Sequence, residues 1–196
     1  VISVIIPLLP IDPYDRVIND CIESLKAQTV TNEIIISKQP ATDRYILKNM
    51  LLNQGFERAT GDIVFHCDAD FILEDRTTLE RMQAKIKKEG YDVVFPKFWS
   101  PRYDALKIAD GGPCFRKITM FKHGPLKEDL KGISWVTFPF VSWCLEHTKY
   151  YCGDDITLTH QRTGGKGRRN GQTASTMRPL FKQTVKRLVR EGAWPV

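Results

Sequence analysis

Short runs of β-branched residues alternate with stretches of helical periodicity through the first 95 residues, and this alternation restricts the fold more than any other feature. Ile2 to Pro7 (ISVIIP), Glu33 to Ser37 (EIIIS), Asp62 to His66 (DIVFH) and Tyr91 to Phe95 (YDVVF) read as buried strands. Between the first two, Asp12-Pro13 supplies an N-cap and a first-turn proline, and Val17, Ile18, Cys21, Ile22 and Leu25 fall on one helical stripe. Thr42 is expected to cap a second helix reaching about Arg58, with Ile46, Leu47, Met50 and Leu51 inward. A third runs from Thr77 to Glu89 on Leu79, Met82 and Ile86. Strand-helix alternation of this kind predicts an α/β domain with a mainly parallel sheet. Ligands of such sheets lie beyond the carboxyl ends of the strands, so the loops after Pro7, Ser37 and His66 should share one crevice.

The second half is less regular. Gly111-Gly112-Pro113 is a turn, and a short helix is expected from Arg116 to His123. Val136 to His147 is apolar and aromatic, interrupted by Pro139, and Tyr150 to His160 holds a strand ending in ITLTH. Gln161 to Gln172 carries four glycines and four basic residues, a mobile loop by composition. Thr176 to Glu191 reads as a basic amphipathic helix with Leu180, Phe181, Val185, Leu188 and Val189 on one side. At 196 residues the expectation is one domain over 1–196: a regular α/β half at 1–95, a less regular half at 96–160, and a basic loop and helix at 161–196.

Charge and cysteines narrow the class. The net charge of +6 is concentrated after Ile156, where nine Lys/Arg face one acid, Glu191. A basic tail on a near-neutral body wants an anionic partner such as a diphosphate, a nucleic acid or a membrane surface. The five cysteines are odd in number and widely spaced, without a CxxC pair, which predicts reduced thiols in a cytosolic protein and no zinc site. A membrane-peripheral position stays open. No apolar run approaches the roughly 18–20 residues of a bilayer span, and the opening at Val1 shows no basic n-region of a secretory signal.

The residues with the clearest chemistry are Asp68-Ala69-Asp70, directly after the third strand. Two carboxylates so placed can hold one hard cation, Mg²⁺ or Mn²⁺, which takes oxygen ligands and keeps positions for a substrate diphosphate. Ahead of them stand Asn53-Gln54-Gly55 and Ala59-Thr60-Gly61. With the opening VISVIIP, this order and spacing resembles the GT-A glycosyltransferases of the family 2 type, over about residues 1–75. The likeness continues more loosely through Gly112-Pro113-Cys114-Phe115-Arg116 and Gly124 to Leu145. A virus-encoded member that decorates surface proteins also comes under this resemblance, though no motif carries that reading.

The resemblance implies a transferase that takes a nucleotide-sugar, a UDP-sugar foremost, with Mn²⁺ or Mg²⁺, and passes the sugar to a glycan or glycoprotein acceptor. It implies that Pro7 and Leu8 meet the nucleoside, that Asp68 faces the ribose or the metal, and that Asp70 binds the metal. His160 stands where related enzymes supply a further ligand, with a capping or core histidine as the rival reading. Arg162, Lys166, Arg168 and Arg169 would fold over the diphosphate. Further domains of a longer chain are among the expected partners; nucleic acid is not, because aromatics are not interleaved with the basic residues.

Two departures from the family pattern matter. The second strand runs into Ser37-Lys38-Gln39, where the family has an acidic pair that reads the base, so Lys38 is a candidate for the phosphates instead. The Gly132 to Phe140 stretch lacks the carboxylate by which inverting members deprotonate the acceptor. Glu128, Asp129, Asp154 and Asp155 are the remaining candidates for that base, and retention of configuration is slightly favoured over inversion. Trp135 is the preferred sugar-stacking residue. The competing readings are a nucleotidyltransferase, against which Leu8 to Asp12 lacks a glycine-rich phosphate loop, a basic nucleic-acid-binding module, and a catalytically dead sugar-binding relative.

Overall fold

The computed structural model describes residues 1–8, 12–38, 44–100, 105–108, 112–126 and 138–161. Among them, β1 (Ile2–Pro7), β2 (Asn32–Ser37) and β3 (Ile63–His66) form the parallel part of a six-stranded sheet of order β2-β1-β3-β8-β5-β9. β8 (Cys114–Arg116) enters antiparallel between β3 and β5 (Val93–Val94), and β9 (Tyr150–Tyr151) pairs parallel with β5. A second sheet, β4-β10-β6-β7, joins β4 (Phe71–Ile72), β6 (Lys97–Ser100), β7 (Ala105–Ile108) and β10 (Thr157–His160). The α/β architecture with a central sheet between helices is as expected from the sequence. The strand expected to end in ITLTH is β10, but the second sheet that it joins and the antiparallel β8 were not anticipated: these strands are all two to four residues long, too short for a periodic signal.

Side-chain alternation along the strands builds two cores. Ile2, Val4, Ile6, Ile63, Phe65, Cys114 and Val94 face one side. There they pack on Ile18, Cys21 and Leu25 of α1 (Asp12–Lys26) and on Leu79, Met82 and Ile86 of α3 (Thr78–Lys87). Ile5, Ile35, Val64, Val93 and Phe115 face the other side, toward Leu52 of α2 (Arg44–Arg58), Met120 of α4 (Lys117–His123) and Phe140, Val141, Cys144 and Leu145 of α5 (Phe138–His147). Among the described side chains of α2, Asn49, Leu51, Leu52 and Gly55 are buried and Met50 is half-buried, while the Ile46 and Leu47 side chains lie outside the description. Pro139 lies in the first turn of α5, which begins at Phe138, rather than interrupting it, because a first-turn proline gives up no helical hydrogen bond.

The two glycines of the motif segment are there for close approach. A Cβ on Gly55 would lie 2.3 Å from Ile5 Cγ2, so α2 can rest on β1 only with glycine at this place. A Cβ on Gly61 would lie 2.7 Å from the Val1 carbonyl. Beside it Glu33 accepts from the Ser3 hydroxyl and from the Thr60 amide and hydroxyl at 2.7 and 2.8 Å. Burial alone would raise the Glu33 carboxyl, but these donors hold it down at about 2. All five cysteines are free thiols, and among the described residues no helix is long and apolar enough to cross a membrane.

Candidate functional site

The Asp68-Ala69-Asp70 segment sits at the carboxyl end of β3. The Cys67 amide bonds the Ile5 carbonyl at 2.9 Å, which prolongs the sheet by one residue, and the chain then turns, with the Phe71 amide on the Asp68 carbonyl at 3.0 Å. The turn sends the two carboxylates to different neighbours. Asp68 follows His66 on the α2 side, where Lys48 Nζ lies 2.8 Å and His66 Nε2 3.0 Å from its Oδ1. Asp70 meets β10: its Oδ2 is 3.1 Å from His160 Nε2, and its carbonyl accepts from the Gln161 amide at 2.7 Å.

The antiparallel pairing of β4 with β10 is what brings His160 to this place, by setting it opposite Phe71. The His160 ring packs against Phe71 and Phe98 at centroid distances of 5.3 and 5.2 Å, so its orientation is fixed by apolar contact. Asp70 is nearly buried, whereas His160 is 40 % exposed in its side chain and faces outward from the pair.

Electrostatics separate the two acids further. Burial acts to raise the Asp68 carboxyl, yet the Lys48 charge and the His66 bond outweigh it and hold Asp68 far below the usual carboxylate range. Burial pushes the His66 imidazole down, against the pull of Asp68, so His66 is neutral at pH 7 and donates to Asp68 through Nε2. The result is a negative cluster with one fixed cation, Lys48, on its α2 side.

Of the residues singled out by sequence, Asp68, Asp70 and His160 come together at one end of the sheet. Pro7 is buried at the end of β1, with the Leu8 amide bonded to the Ser37 carbonyl at 2.9 Å, and Lys38 is exposed just beyond β2. These are the loops expected to share a crevice. Asp155 is separated from them by the length of β10, ~10 Å at about 3.3 Å per residue. It is occupied with α3, accepting the Tyr151 hydroxyl and lying 4.0 Å from Lys85, while Asp154 holds Lys97 at 2.5 Å. Both acids tie β9 and β10 to their neighbours rather than facing the Asp70 cluster. Glu128, Asp129, Trp135, Arg162, Lys166, Arg168 and Arg169 lie outside the described residues, as do the Thr42 cap and the C-terminal helix.

Lys48 and His66 were missed in the sequence, although both carried a signal. Lys48 shares a helical face with Leu52 and Gly55 at i, i+4 and i+7, an odd position for a lysine with only water to meet. His66 continues the alternation of Val64 on an otherwise apolar strand.

Among the described residues no group of three or more His, Cys, Asp and Glu side chains forms a ready-made metal cage. The donor set that is present, a carboxylate and an outward imidazole, fits Mn²⁺ better than Mg²⁺, because imidazole is the softer ligand. Sites of this kind leave several positions to water and substrate oxygens.

The family model described as glycosyl transferase family 2 matches residues 51–136, a segment that includes Asn53-Gln54-Gly55 and Asp68-Ala69-Asp70. The sequence has no match among curated proteins. The fold is that of GT-A glycosyltransferases. Residues 1–349 of S. aureus TarS superpose with a TM-score of 0.66 at 16% identity, covering 82% of this chain and 60% of that one. The mannosyltransferase PcManGT from Pyrobaculum calidifontis, in complex with GDP-Man and Mn²⁺, gives 0.65 at 16% identity over 96% of this chain and 64% of its own. Glucosyl-3-phosphoglycerate synthase from Mycobacterium tuberculosis, with Mn²⁺ and UDP-glucose, gives 0.61 at 12% identity over 95% and 78%. The chain thus spans less than two thirds of the length of the first two. The resemblance to family 2 GT-A enzymes read from the sequence holds for the family segment and for the fold.

Proposed function

We propose that this chain, a GT-A fold carrying a family 2 glycosyltransferase segment, is the catalytic domain of a metal-dependent transferase. It moves a sugar from a nucleotide-sugar, a UDP-sugar by preference, to a glycan or glycoprotein acceptor. The observation that carries this reading is the 3.1 Å pairing of Asp70 with His160 at the carboxyl edge of the sheet, beside the Asp68–Lys48 pair. A lone D-x-D is common by chance. One whose second acid meets a half-exposed histidine from a strand 90 residues away is a convergent site. Neighbours of this fold hold Mn²⁺ with GDP-Man or UDP-glucose.

In this reading Asp70 and His160 hold a divalent cation, which when bound neutralises charge on the departing diphosphate. Lys48 fixes the Asp68 carboxylate against α2, so that Asp68 presents its remaining lone pairs to the ribose or the metal. Pro7 and Leu8 border the nucleoside, and Lys38 with Arg162 and Lys166 screens the diphosphate. Asp129, Glu128, Asp154 and Asp155 stay the candidates for the acceptor's base in an inverting reaction, with Asp155 already engaged on α3, and retention of configuration remains the favoured course.

The test is calorimetric titration of UDP with Mn²⁺ and with chelator. UDP is expected to bind far more tightly with metal, and Asp70→Ala or His160→Ala to remove about tenfold or more of that gain. Equal affinity with metal and with chelator would sink the reading.

A further inference from the structure

Two sulfurs meet beside the acid cluster. Cys21 of α1 and Cys67, the residue before Asp68, are fully buried with their Sγ atoms 3.8 Å apart. Both also point at one oxygen, the Asp68 carbonyl, which lies 3.9 Å from Cys21 Sγ and 3.5 Å from Cys67 Sγ. At 3.8 Å the sulfurs are in van der Waals contact; a disulfide draws them in to about 2.05 Å. The Cys67 amide is held by the Ile5 carbonyl, so the remaining distance is covered by rotation of the two side chains and an approach of α1 to the turn. Neither thiol has a part in the chemistry proposed above.

α1 touches the cluster twice. Through Cys21 it meets the turn that carries Asp68. Through the next residue back, Asp20, it accepts from the Gln161 side chain at 3.3 Å, and the Gln161 amide bonds the Asp70 carbonyl at 2.7 Å beside His160. A covalent bond at Cys21 therefore pulls on both sides of the site. It also removes the two S–H groups that face the Asp68 carbonyl.

We propose that Cys21 and Cys67 form a redox pair, converted by a hydroperoxide to a disulfide that ties α1 to the Asp68–Asp70 turn and weakens metal-dependent donor binding. One thiol attacks a peroxide oxygen, the O–O bond breaks, and a sulfenic acid and water form. The second sulfur then displaces the sulfenic hydroxyl, which leaves as water with the proton of the second thiol. Two thiols and one hydrogen peroxide give one disulfide and two waters, and the two electrons lost by sulfur reduce the peroxide. Burial shapes both steps. It pushes the Cys67 thiol up, which makes the first step slow, and it admits only a neutral oxidant not much larger than water. In the second step burial helps, because the sulfenic sulfur already touches its partner and is closed to other thiols. Formation of the disulfide rests on the geometry of the pair alone; its effect on donor binding rests on the transferase reading above.

The experiment treats the full chain with hydrogen peroxide, then denatures, alkylates and maps it by mass spectrometry. UDP with Mn²⁺ is titrated into reduced protein, oxidised protein and oxidised protein returned to dithiothreitol. Cys21→Ala, which leaves Cys67 without its partner, goes through the same series. A crosslink between residues 21 and 67 is expected in wild type, with UDP binding about tenfold weaker and restored by dithiothreitol. In Cys21→Ala oxidation should leave the affinity unchanged; if that variant does not fold, the crosslink map and the dithiothreitol reversal in wild type decide by themselves. No crosslink between 21 and 67, sulfinic acid at either residue in its place, or a disulfide to Cys152 or between chains overturns the pair. A crosslink with unaltered UDP affinity overturns its control of binding. If reduced wild type binds no UDP with Mn²⁺, the transferase reading falls, while the map still decides whether the pair forms.

Discussion

Replacing Lys48 with methionine keeps the aliphatic stem on α2 and removes the charge that holds Asp68. The two side chains are 19 % and 25 % exposed, between a surface pair and a buried one. Surface ion pairs contribute about 0–1 kcal/mol, whereas breaking a buried pair by removing one partner costs about 3–5 kcal/mol. His66 still donates to Asp68 in the variant, which limits the damage. A loss of about 2 kcal/mol is therefore expected at pH 7, and for a domain of this size that lowers the melting temperature by about 4–8 °C. The pH dependence gives a sharper check. Asp68 is depressed in the folded state, so its contribution is fully present above the unfolded carboxylate value of about 4 and fades as pH falls toward its folded value. The gap between wild type and Lys48→Met should hold steady from about pH 5 to 7 and narrow below about pH 4. Scanning calorimetry across that range measures both. Equal melting temperatures at pH 7, or a gap that does not narrow in acid, would refute the pairing.

Three further outcomes are expected. Glu33, held at about 2 by Ser3 and Thr60, should make stability fall as pH drops from about 4 toward 2, and Glu33→Gln should flatten the melting profile in that window; parallel profiles would contradict this. Gly55→Ala places a methyl 2.3 Å from Ile5 Cγ2, and overpacking of about 1–3 kcal/mol should outweigh the helix preference for alanine, so urea midpoints should shift downward; an unchanged or higher midpoint would show that α2 can move off β1. The first-formed glycoside should keep the donor's anomeric configuration by NMR, and an inverted anomer would direct the search for a base to Asp129 and Glu128.

β1, β2 and β3 were legible because a strand covered on both faces is a short continuous apolar run, and such runs stood between helices with clear stripes at Ile18, Cys21 and Leu25 and at Leu79, Met82 and Ile86. β8 was not legible. Three residues, Cys114 to Arg116, owe their strand conformation to β3 and β5 on either side, and no local pattern announces a pairing across 50 residues of chain. The same limit acts in the site. Asp68 and Asp70 are one residue type at one spacing, and sequence assigns both to the same cation. The turn closed by the Phe71 amide divides them, turning Asp68 toward α2 and Asp70 toward β10. Lys48 then competes for Asp68 with any cation held by Asp70. A metal ion bound with its diphosphate would bring both positive and negative charge to a carboxylate that already has a partner. The expected consequence is that Asp68 acts mainly through hydrogen bonds to the ribose, with Asp70 and His160 as the ligands proper. On that argument Asp68→Asn, which keeps the hydrogen-bonding shape but not the charge, should spare metal-dependent binding more than Asp70→Asn does, and equal losses in the two would place both acids on the metal.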